Sequence, residues 1–293
     1  MDKIEKMIAV EKMQTYIEEH LNQVITLKQL ARAANYSLYH CDRIFKELVG
    51  YTPFDYIRRL RLSKAALVLR DNKPRIIDVA FDFVFDSHEG FTKAFSKQFG
   101  LSPQKYVKET PPIKLFIPTN PYLYYLSQRK GGKKMEQTKT VFVQVVERPA
   151  RKVLLKRGIK AQDYFAYCEE VGCDIWGVLT SIKEAMYEPV GMWLPNHLIK
   201  EGTSKYVQGV ELPLSYDKPI PDGYEMIELP PCKMMIFQGE PYPDDAFCDA
   251  IEALQATIDK YDPHLYGFDW DDEVAPRIQL EPLGYRGYIE GRP

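Results

Sequence analysis

The first 109 residues repeat their apolar positions with the period of an α-helix. Apolar residues recur three and four positions apart, and short breaks at residues 35–37, 50–53 and 72–74 and at Gly100 separate the periodic stretches. This pattern predicts an all-α first domain of short amphipathic helices, extending over residues 1–110.

The helical pattern stops at residue 111. Several prolines precede an aromatic cluster at residues 122–125 and a basic, glycine-containing run at residues 129–134. Prolines and glycines interrupt regular structure, so residues 111–139 are predicted to form a linker. The aromatic cluster is expected to dock on one of the domains.

From residue 140 the apolar positions alternate with the period of a β-strand, and the pattern occurs twice. Residues 146–158 match residues 227–239, which lie 81 positions later, and both copies predict a strand, a short proline turn and a second strand. A helical stretch follows each copy, at 162–184 and 244–260, and strand-like segments come next, at 191–194, 206–214 and 277–289. The repeat predicts an α+β domain over residues 140–293, with duplicated ββα-plus-strand units, one antiparallel sheet and a cleft where the copies meet.

Length and composition narrow the class of protein. A chain of 293 residues is long enough for two domains, each with its own core. No apolar run approaches the roughly 18 residues of a membrane span, and the first residues lack the apolar stretch of a secretion signal. The five cysteines form no CxxC pair and no Cys/His set at zinc spacing. The expected compartment is therefore the cytoplasm, with no metal site.

The charges are divided unevenly between the two halves. Residues 1–140 carry 24 Lys and Arg against 15 Asp and Glu, a balance of +9, whereas residues 141–293 carry 15 against 26, a balance of −11. A basic domain is the electrostatic footprint of a nucleic-acid binder, because neutralised phosphates supply most of the non-specific affinity. The first half is therefore a candidate DNA-binding domain.

The segment that begins at Ser37 has the features of a DNA-recognition helix. Ser37 is a natural N-cap, and a helix before it would span the DNA backbone while this one enters the major groove. One face is predicted to be buried and consists of Leu38, Cys41, Ile44, Phe45 and Leu48. The outward residues, which are the candidate DNA contacts, are Tyr39, Asp42, Arg43 and Lys46.

The same arrangement recurs about fifty residues later, after a cap at Asp86 and Ser87. The buried face is predicted to hold Phe91, Ala94, Phe95 and Phe99, and the candidate DNA contacts are His88, Glu89, Thr92 and Lys93. A long helix that begins at Thr52 and Pro53 connects the two motifs and carries Arg58, Arg59 and Arg61 on its polar side. Such a connector suits two consecutive major grooves, about 34 Å apart.

Residues 8–107 resemble the signature of the AraC/XylS family of transcriptional regulators. The resemblance rests on GYTPFDYI at 50–57 with Arg61 and Ala65, IDVA at 77–80, FDSHEGFTKAF at 85–95 and FGLSPQKY at 99–106. It implies that the two motifs grip adjacent major grooves of promoter DNA. Val84 stands where the family usually has Gly, which implies a strained turn before the second recognition helix.

Residues 140–293 resemble the gyrase-inhibitor-like effector domains that also occur in multidrug-responsive regulators. The resemblance rests on the doubled Glu-x-Pro strand pair and on the strands at 206–212 and 276–282. It implies a cleft between the repeats that binds amphipathic, often cationic compounds through aromatic walls and a buried carboxylate. The candidate walls are Trp193, Tyr206 and Trp270.

Three residues are candidates for the polar group of that cleft. Gln279 and Glu281 lie on one face of the late strand, and Glu211 occupies a comparable strand of the first copy. The acid of the family corresponds to either Gln279 or Glu281, and Glu281 is the favoured counter-charge. A buried charge is costly unless an opposite charge pairs with it, which is why a cationic ligand is expected.

The expected partners are double-stranded promoter DNA, a small-molecule effector and RNA polymerase, with no cofactor and no membrane. Two other functions remain open: a C-terminal hydrolase of reactive drug-like compounds, with a carboxylate as general base, and a module that binds gyrase or polymerase. The sequence has no nucleophile–base spacing, metal set or phosphate loop, so a non-enzyme is expected.

Overall fold

The computed structural model describes residues 3–127 and 140–293, in which the chain forms two compact units. The division falls between Tyr125 and Leu126, and residues 181–183 group with the first unit. The basic run predicted at the end of the linker lies outside the described residues. The domain limits 1–110, 111–139 and 140–293 therefore stay a prediction.

Residues 3–127 contain eight α-helices and no strand. The helices are α1 (Lys3–Glu19), α2 (Leu27–Ala34), α3 (Leu38–Val49), α4 (Pro53–Asn72), α5 (Ile76–Asp82), α6 (His88–Phe99), α7 (Pro103–Glu109) and α8 (Pro121–Ser127). Among the described residues, no helix combines the length and the apolar character that crossing a membrane requires.

Side-chain caps fix where the predicted recognition helices begin. Ser37 Oγ accepts a hydrogen bond from the His40 amide at the start of α3, and Ser87 Oγ accepts one from the Gly90 amide, 3.0 Å away, at the start of α6. Gly50 ends α3 with φ = 82°, in the left-handed region that costs glycine little. Both predicted caps are confirmed.

Val84 lies in the turn between α5 and α6 and has φ = 62°, in the left-handed region. The Phe85 amide donates to the Ala80 carbonyl and the Val84 amide donates to the Phe81 carbonyl, both at 2.9 Å. This is the Schellman pattern that usually places Gly at the left-handed position. For a β-branched side chain the conformation costs about 1–2 kcal/mol, so the expected strain is confirmed.

Replacing Val84 by Gly is expected to stabilise the first unit by about 0.5–1 kcal/mol, because relief of strain exceeds the added freedom of the unfolded chain. Val84→Asn should give a smaller gain, since Asn tolerates the left-handed region better than Val. Thermal unfolding followed by far-UV circular dichroism measures this. A midpoint that falls in both variants would show that the Val84 side chain contributes more through packing than it costs in strain.

The core of the first unit extends into the segment that the sequence predicts to be a linker. Ile113 and Leu115 are buried in the same cluster as the helices. Phe116 packs edge-on against Tyr51 and Tyr56, with ring centroids 5.5 and 5.2 Å apart. Residues 113–116 are thus part of the packed unit, because their apolar side chains lie against these rings.

The described part of the second unit, residues 140–293, contains one eight-stranded antiparallel sheet with the order β1-β6-β8-β7-β3-β4-β2-β5. The strands are β1 (Phe142–Arg148), β2 (Arg151–Arg157), β3 (Val190–Trp193), β4 (Tyr206–Pro213), β5 (Glu225–Leu229), β6 (Cys232–Gln238), β7 (Arg277–Gln279) and β8 (Ile289–Arg292). The helices are α9 (Tyr164–Val171), α10 (Ile175–Ser181) and α11 (Phe247–Ile258).

Strands joined by a proline turn do not pair with each other. β1 pairs with β6, and β5 pairs with β2, so each predicted strand pair is divided between the two ends of the sheet. The predicted helix over 162–184 is interrupted after α9 at Gly172, where φ is 91°. The strand-like stretch 277–289 is likewise two short strands, β7 and β8, with a turn between them.

The two faces of the sheet differ in what covers them. On one face, Met235 and Phe237 of β6 pack with the apolar residues of α11, and Tyr206 of β4 meets Tyr167 of α9 at 5.7 Å between ring centroids. We call this the helical face. Because side chains alternate along a strand, Val207 and Ile236 point to the opposite face, where a second apolar cluster lies.

Candidate nucleic-acid interface and candidate ligand site

Helix α3 has one buried and one exposed face, as predicted for a recognition helix. Cys41, Ile44 and Phe45 are fully buried. Of the candidate DNA contacts, Tyr39 is 78% exposed, Arg43 and Lys46 are exposed, and Asp42 is half-buried. The helix therefore presents an aromatic ring and two cations to solvent.

Leu38 does not face the core, which corrects the prediction. It is 49% exposed and lines an open concave surface between α2 and α3 together with Tyr39, Lys28 and Arg32. Leu38 is the first residue after the Ser37 cap, at the edge of the unit, where the core offers it little contact. Lys28 and Arg32 are exposed and widen the basic surface, and their four-residue spacing on α2 was the signal that sequence reasoning missed.

Helix α6 presents a smaller and less basic surface. Glu89 and Lys93 are exposed, whereas His88 and Thr92 are half-buried. The Thr92 hydroxyl is buried and makes no hydrogen bond to any described residue. A carboxylate beside the exposed lysine reduces the attraction of this helix for phosphates.

The three arginines of α4 have structural partners. Arg61 donates to the Leu21 carbonyl at 2.9 Å and to the Gln23 carbonyl at 2.6 Å, so it fastens the loop before α2 rather than facing solvent freely. Arg58 pairs with Asp55, and the Arg59 guanidinium lies 4.5 Å above the ring of Tyr51. The polar side of α4 is thus less available to DNA than its sequence indicates.

The second unit contains buried polar side chains at the centre of the helical face. Strand register aligns Gln208 of β4, Gly191 of β3, Gln279 of β7 and Glu290 of β8 in one row. The neighbouring row aligns Tyr206, Trp193 and Arg277. We call Tyr206, Gln208, Arg277, Gln279, Tyr288 and Glu290 the central polar cluster.

Glu290 is the fully buried carboxylate of this cluster, with 0% exposure. Arg277 forms an ion pair with Oε1. The Tyr288 hydroxyl donates to Oε2 at 3.0 Å, and Gln255 Nε2 of α11 donates to the same oxygen at 3.2 Å. Burial, reinforced by the nearby Glu290 charge, raises the pKa of Tyr288 well above its usual value, so the phenol keeps the proton that it donates.

Gly191 lets the other members of the cluster approach each other. A Cβ at this position would collide with the Tyr206 hydroxyl and lie 2.9 Å from Gln279 Cγ. Tyr206 and Gln208 are both 0% exposed, yet the Tyr206 hydroxyl and both amide atoms of Gln208 make no well-formed hydrogen bond to any described residue. Buried polar atoms are usually hydrogen-bonded, so the central polar cluster is the candidate ligand site of this unit.

Some of the predicted ligand residues meet in this cluster. Tyr206 and Gln279 belong to it, and Gln279 is 7% exposed. Trp193 lies beside it, half-buried, with its ring edge-on to Tyr206 at 5.2 Å and its Nε1 donating to the Gln162 carbonyl at 2.9 Å. Trp270 packs instead against Phe237 and Phe268, in the apolar cluster around α11.

The structure corrects the expectation that Glu281 is a buried counter-charge. Glu281 is exposed, because β7 ends at Gln279 and the chain turns at Pro282, which has no amide hydrogen to continue a strand ladder. Of the two alternatives on this strand, Gln279 is the residue that faces the cluster.

Glu211 does not face the central polar cluster, which corrects the prediction that it lines the ligand site. It is 2% exposed but lies on the face opposite Tyr206 and Gln208, since its position along β4 has the other parity. Its carboxylate is neutralised by Arg151 at 2.5 Å and Arg148 at 3.1 Å.

Sequence reasoning missed Glu290, Arg277 and Gln208. A signal for Glu290 was present, because Tyr288 and Glu290 alternate with apolar residues in the last strand. The cross-strand pairing that joins Glu290 to Gln279 leaves no trace in the local pattern.

Comparison with known proteins gives matches in the first unit. Residues 30–109 match the family described as a helix-turn-helix domain. The chain is 39% identical over 108 residues to the transcriptional regulator Rob of Salmonella typhimurium, covering 34% of this chain and 37% of that protein. It is 43% identical over 91 residues to the right origin-binding protein of Escherichia coli, covering 31% and 32%. The chain thus spans about a third of the length of these two relatives.

A shorter relative is covered almost completely. The regulatory protein SoxS of Escherichia coli is 34% identical over 91 residues, which are 31% of this chain and 85% of that protein. Among solved structures, the DNA-binding domain of AdpA in complex with a target DNA is 26% identical, with a TM-score of 0.33, and the match covers 34% of this chain and 90% of that one.

Proposed function

The chain belongs to the AraC family of helix-turn-helix regulators, and on this premise we propose that it is a transcriptional regulator that binds double-stranded promoter DNA through α3 and α6. The observation that carries the proposal is the exposed set Tyr39, Arg43 and Lys46 on a capped helix whose other face is buried. Arg43 can bond a guanine edge with two hydrogen bonds, and Lys46 can neutralise a phosphate.

The length of α4 supports simultaneous use of both recognition helices. Its 20 residues span about 30 Å at 1.5 Å per residue, close to the roughly 34 Å between successive major grooves. One chain could then read a whole site, with α3 supplying more of the attraction than α6.

Binding of the full chain to duplex DNA at increasing salt tests this function. Fluorescence anisotropy with a labelled duplex should give an affinity that falls steeply and linearly on logarithmic axes, because each neutralised phosphate releases counterions. Selection from a random duplex library should then recover a preferred sequence. The proposal is wrong if the folded chain does not bind duplex DNA, or if its affinity for the duplex does not change with the salt concentration.

We further propose that the second unit senses a small-molecule effector at the central polar cluster and that the DNA-bound protein acts on RNA polymerase. The strand order has an internal twofold symmetry: exchanging β1 with β5, β2 with β6, β3 with β7 and β4 with β8 gives the same order read from the other end of the sheet. This symmetry supports a duplicated unit with a site at its centre. Native mass spectrometry of the purified chain should detect a bound small molecule that Gln208→Leu loses. A chain that never carries or takes up one would refute the sensing role.

A further inference from the structure

The position that an organic cation would take in the second unit is filled by an arginine of the protein. An aromatic face and a carboxylate each attract an organic cation. Trp193 and Glu290 supply both, but the Arg277 guanidinium lies 5.5 Å from the centre of the Trp193 ring and is paired with Glu290. The Glu290 carboxylate beside the Trp193 ring is therefore already neutralised by Arg277, a cation of the protein itself.

The same arrangement occurs at the other candidate aromatic wall. The Arg292 guanidinium lies 4.6 Å from the centre of the Trp270 ring and forms two hydrogen bonds to the Asp272 carboxylate, at 2.9 and 2.7 Å. Both tryptophans thus already carry a cation, and each of these cations has its own carboxylate. At each ring, the carboxylate that contacts the cation is thereby neutralised.

Displacing Arg277 would be costly. Both oxygens of Glu290 are already bonded, one to Arg277 and the other to Tyr288 and Gln255. A cationic ligand would have to break a buried ion pair and leave the arginine without its partner, which is strongly unfavourable.

The groups of the cluster whose hydrogen bonds are incomplete are uncharged. The Gln208 amide has a donor and an acceptor that contact the Tyr206 hydroxyl and the Cys168 thiol without forming well-formed hydrogen bonds, and burial raises the pKa of Tyr206, which keeps its hydroxyl neutral. A planar amide on the ligand would satisfy the Gln208 donor and acceptor together, while an attached ring could pack against Trp193.

From these contacts we infer that the central polar cluster binds an uncharged, planar aromatic ligand with adjacent hydrogen-bond donor and acceptor groups, such as an aryl amide or lactam, and selects against organic cations. The inference deepens the proposed effector-sensing role and rests on it. Arg277 acts as a tethered cation that sets this specificity.

Benzamide and benzamidine test the inference because they have nearly the same shape and differ in charge. Titration of the full chain, followed by tryptophan fluorescence, should give affinity for benzamide at least about 10-fold above that for benzamidine. Gln208→Leu should remove this preference by weakening benzamide binding, whereas Gln144→Leu, a matched change at an exposed position of β1, should leave it unchanged. Equal or tighter binding of benzamidine to the unaltered chain would overturn the inference.

Arg277→Met tests the role of the tethered cation, since it exposes the Glu290 charge. This variant should reverse the preference by about 10-fold or more towards benzamidine, and the double variant Arg277→Met/Glu290→Gln should not. If Arg277→Met is unstable alone, benzamidine should raise its unfolding temperature and benzamide should not, because the ligand then replaces the missing charge. Absence of both the reversal and the rescue would contradict the role of Arg277.

DNA titrations of the same proteins separate this inference from the proposed function. Gln144→Leu, which lies outside the central polar cluster, should keep the affinity of the unaltered chain for duplex DNA. Loss of the benzamide preference in a chain that binds DNA would refute only the ligand class. A chain that prefers benzamide but binds no DNA would refute the regulatory function and leave the ligand selectivity standing.

Discussion

Replacing Glu211 by Gln is expected to lower the free energy of unfolding of the second unit by about 3–5 kcal/mol, the usual cost of removing one partner from a buried ion pair. Arg151 is 0% exposed and donates to Glu211 at 2.5 Å and to the carbonyls of Pro149 and Pro230 at 3.2 and 3.1 Å. Gln keeps the shape of Glu but not its charge, so the Arg151 and Arg148 charges would lose their carboxylate.

Tryptophan fluorescence during denaturant unfolding measures this effect specifically, because all three tryptophans of the chain lie in the second unit. Glu228→Gln is the matched control, since Glu228 is an exposed carboxylate on β5, and it should change stability by less than about 0.5 kcal/mol. A loss below about 1 kcal/mol in Glu211→Gln would show that other groups compensate the two arginines.

Arg43→Ala is expected to weaken binding of the full chain to its preferred duplex by about 1–3 kcal/mol, or roughly 5- to 150-fold, if its guanidinium contacts a base edge. Arg43 is exposed on α3, so the substitution removes the proposed DNA contact without opening the core. Because the loss is of base recognition, discrimination between the preferred and a scrambled duplex should fall with it.

Lys93→Ala serves as the comparison on α6. It should cost less than Arg43→Ala, because Glu89 beside it already weakens attraction for phosphate and Val84 strains the turn that places this helix. Anisotropy titrations at one salt concentration give both values. The reverse order would mean that α6 supplies the dominant contacts.

The sequence predicts the first unit closely because its signals are local. A cap such as Ser37 or Ser87 acts on the amide three residues ahead, and the helical period places Phe45 inside and Arg43 outside whatever the rest of the chain does. Val84 is a similar case, since the left-handed turn is defined within five residues. The burial of Leu38 was predicted wrongly because the burial of a residue at a helix end depends on which other parts of the chain pack there.

By itself, therefore, the sequence determined helices α1 to α7 of the first unit, the exposure of Tyr39, Arg43 and Lys46 on α3 and of Glu89 and Lys93 on α6, and the presence of a sheet with helices in the second unit. The tertiary structure decided which strands pair, and with them which acid is buried: Glu290 rather than Glu281, with Glu211 on the opposite face. The physical reason is that a strand finds its partners far away in sequence, so that alternation indicates two faces but not which face meets which neighbour. The pairing of β7 with β8 brought Arg277 to Glu290, and that contact replaced the expected free carboxylate with a neutralised one.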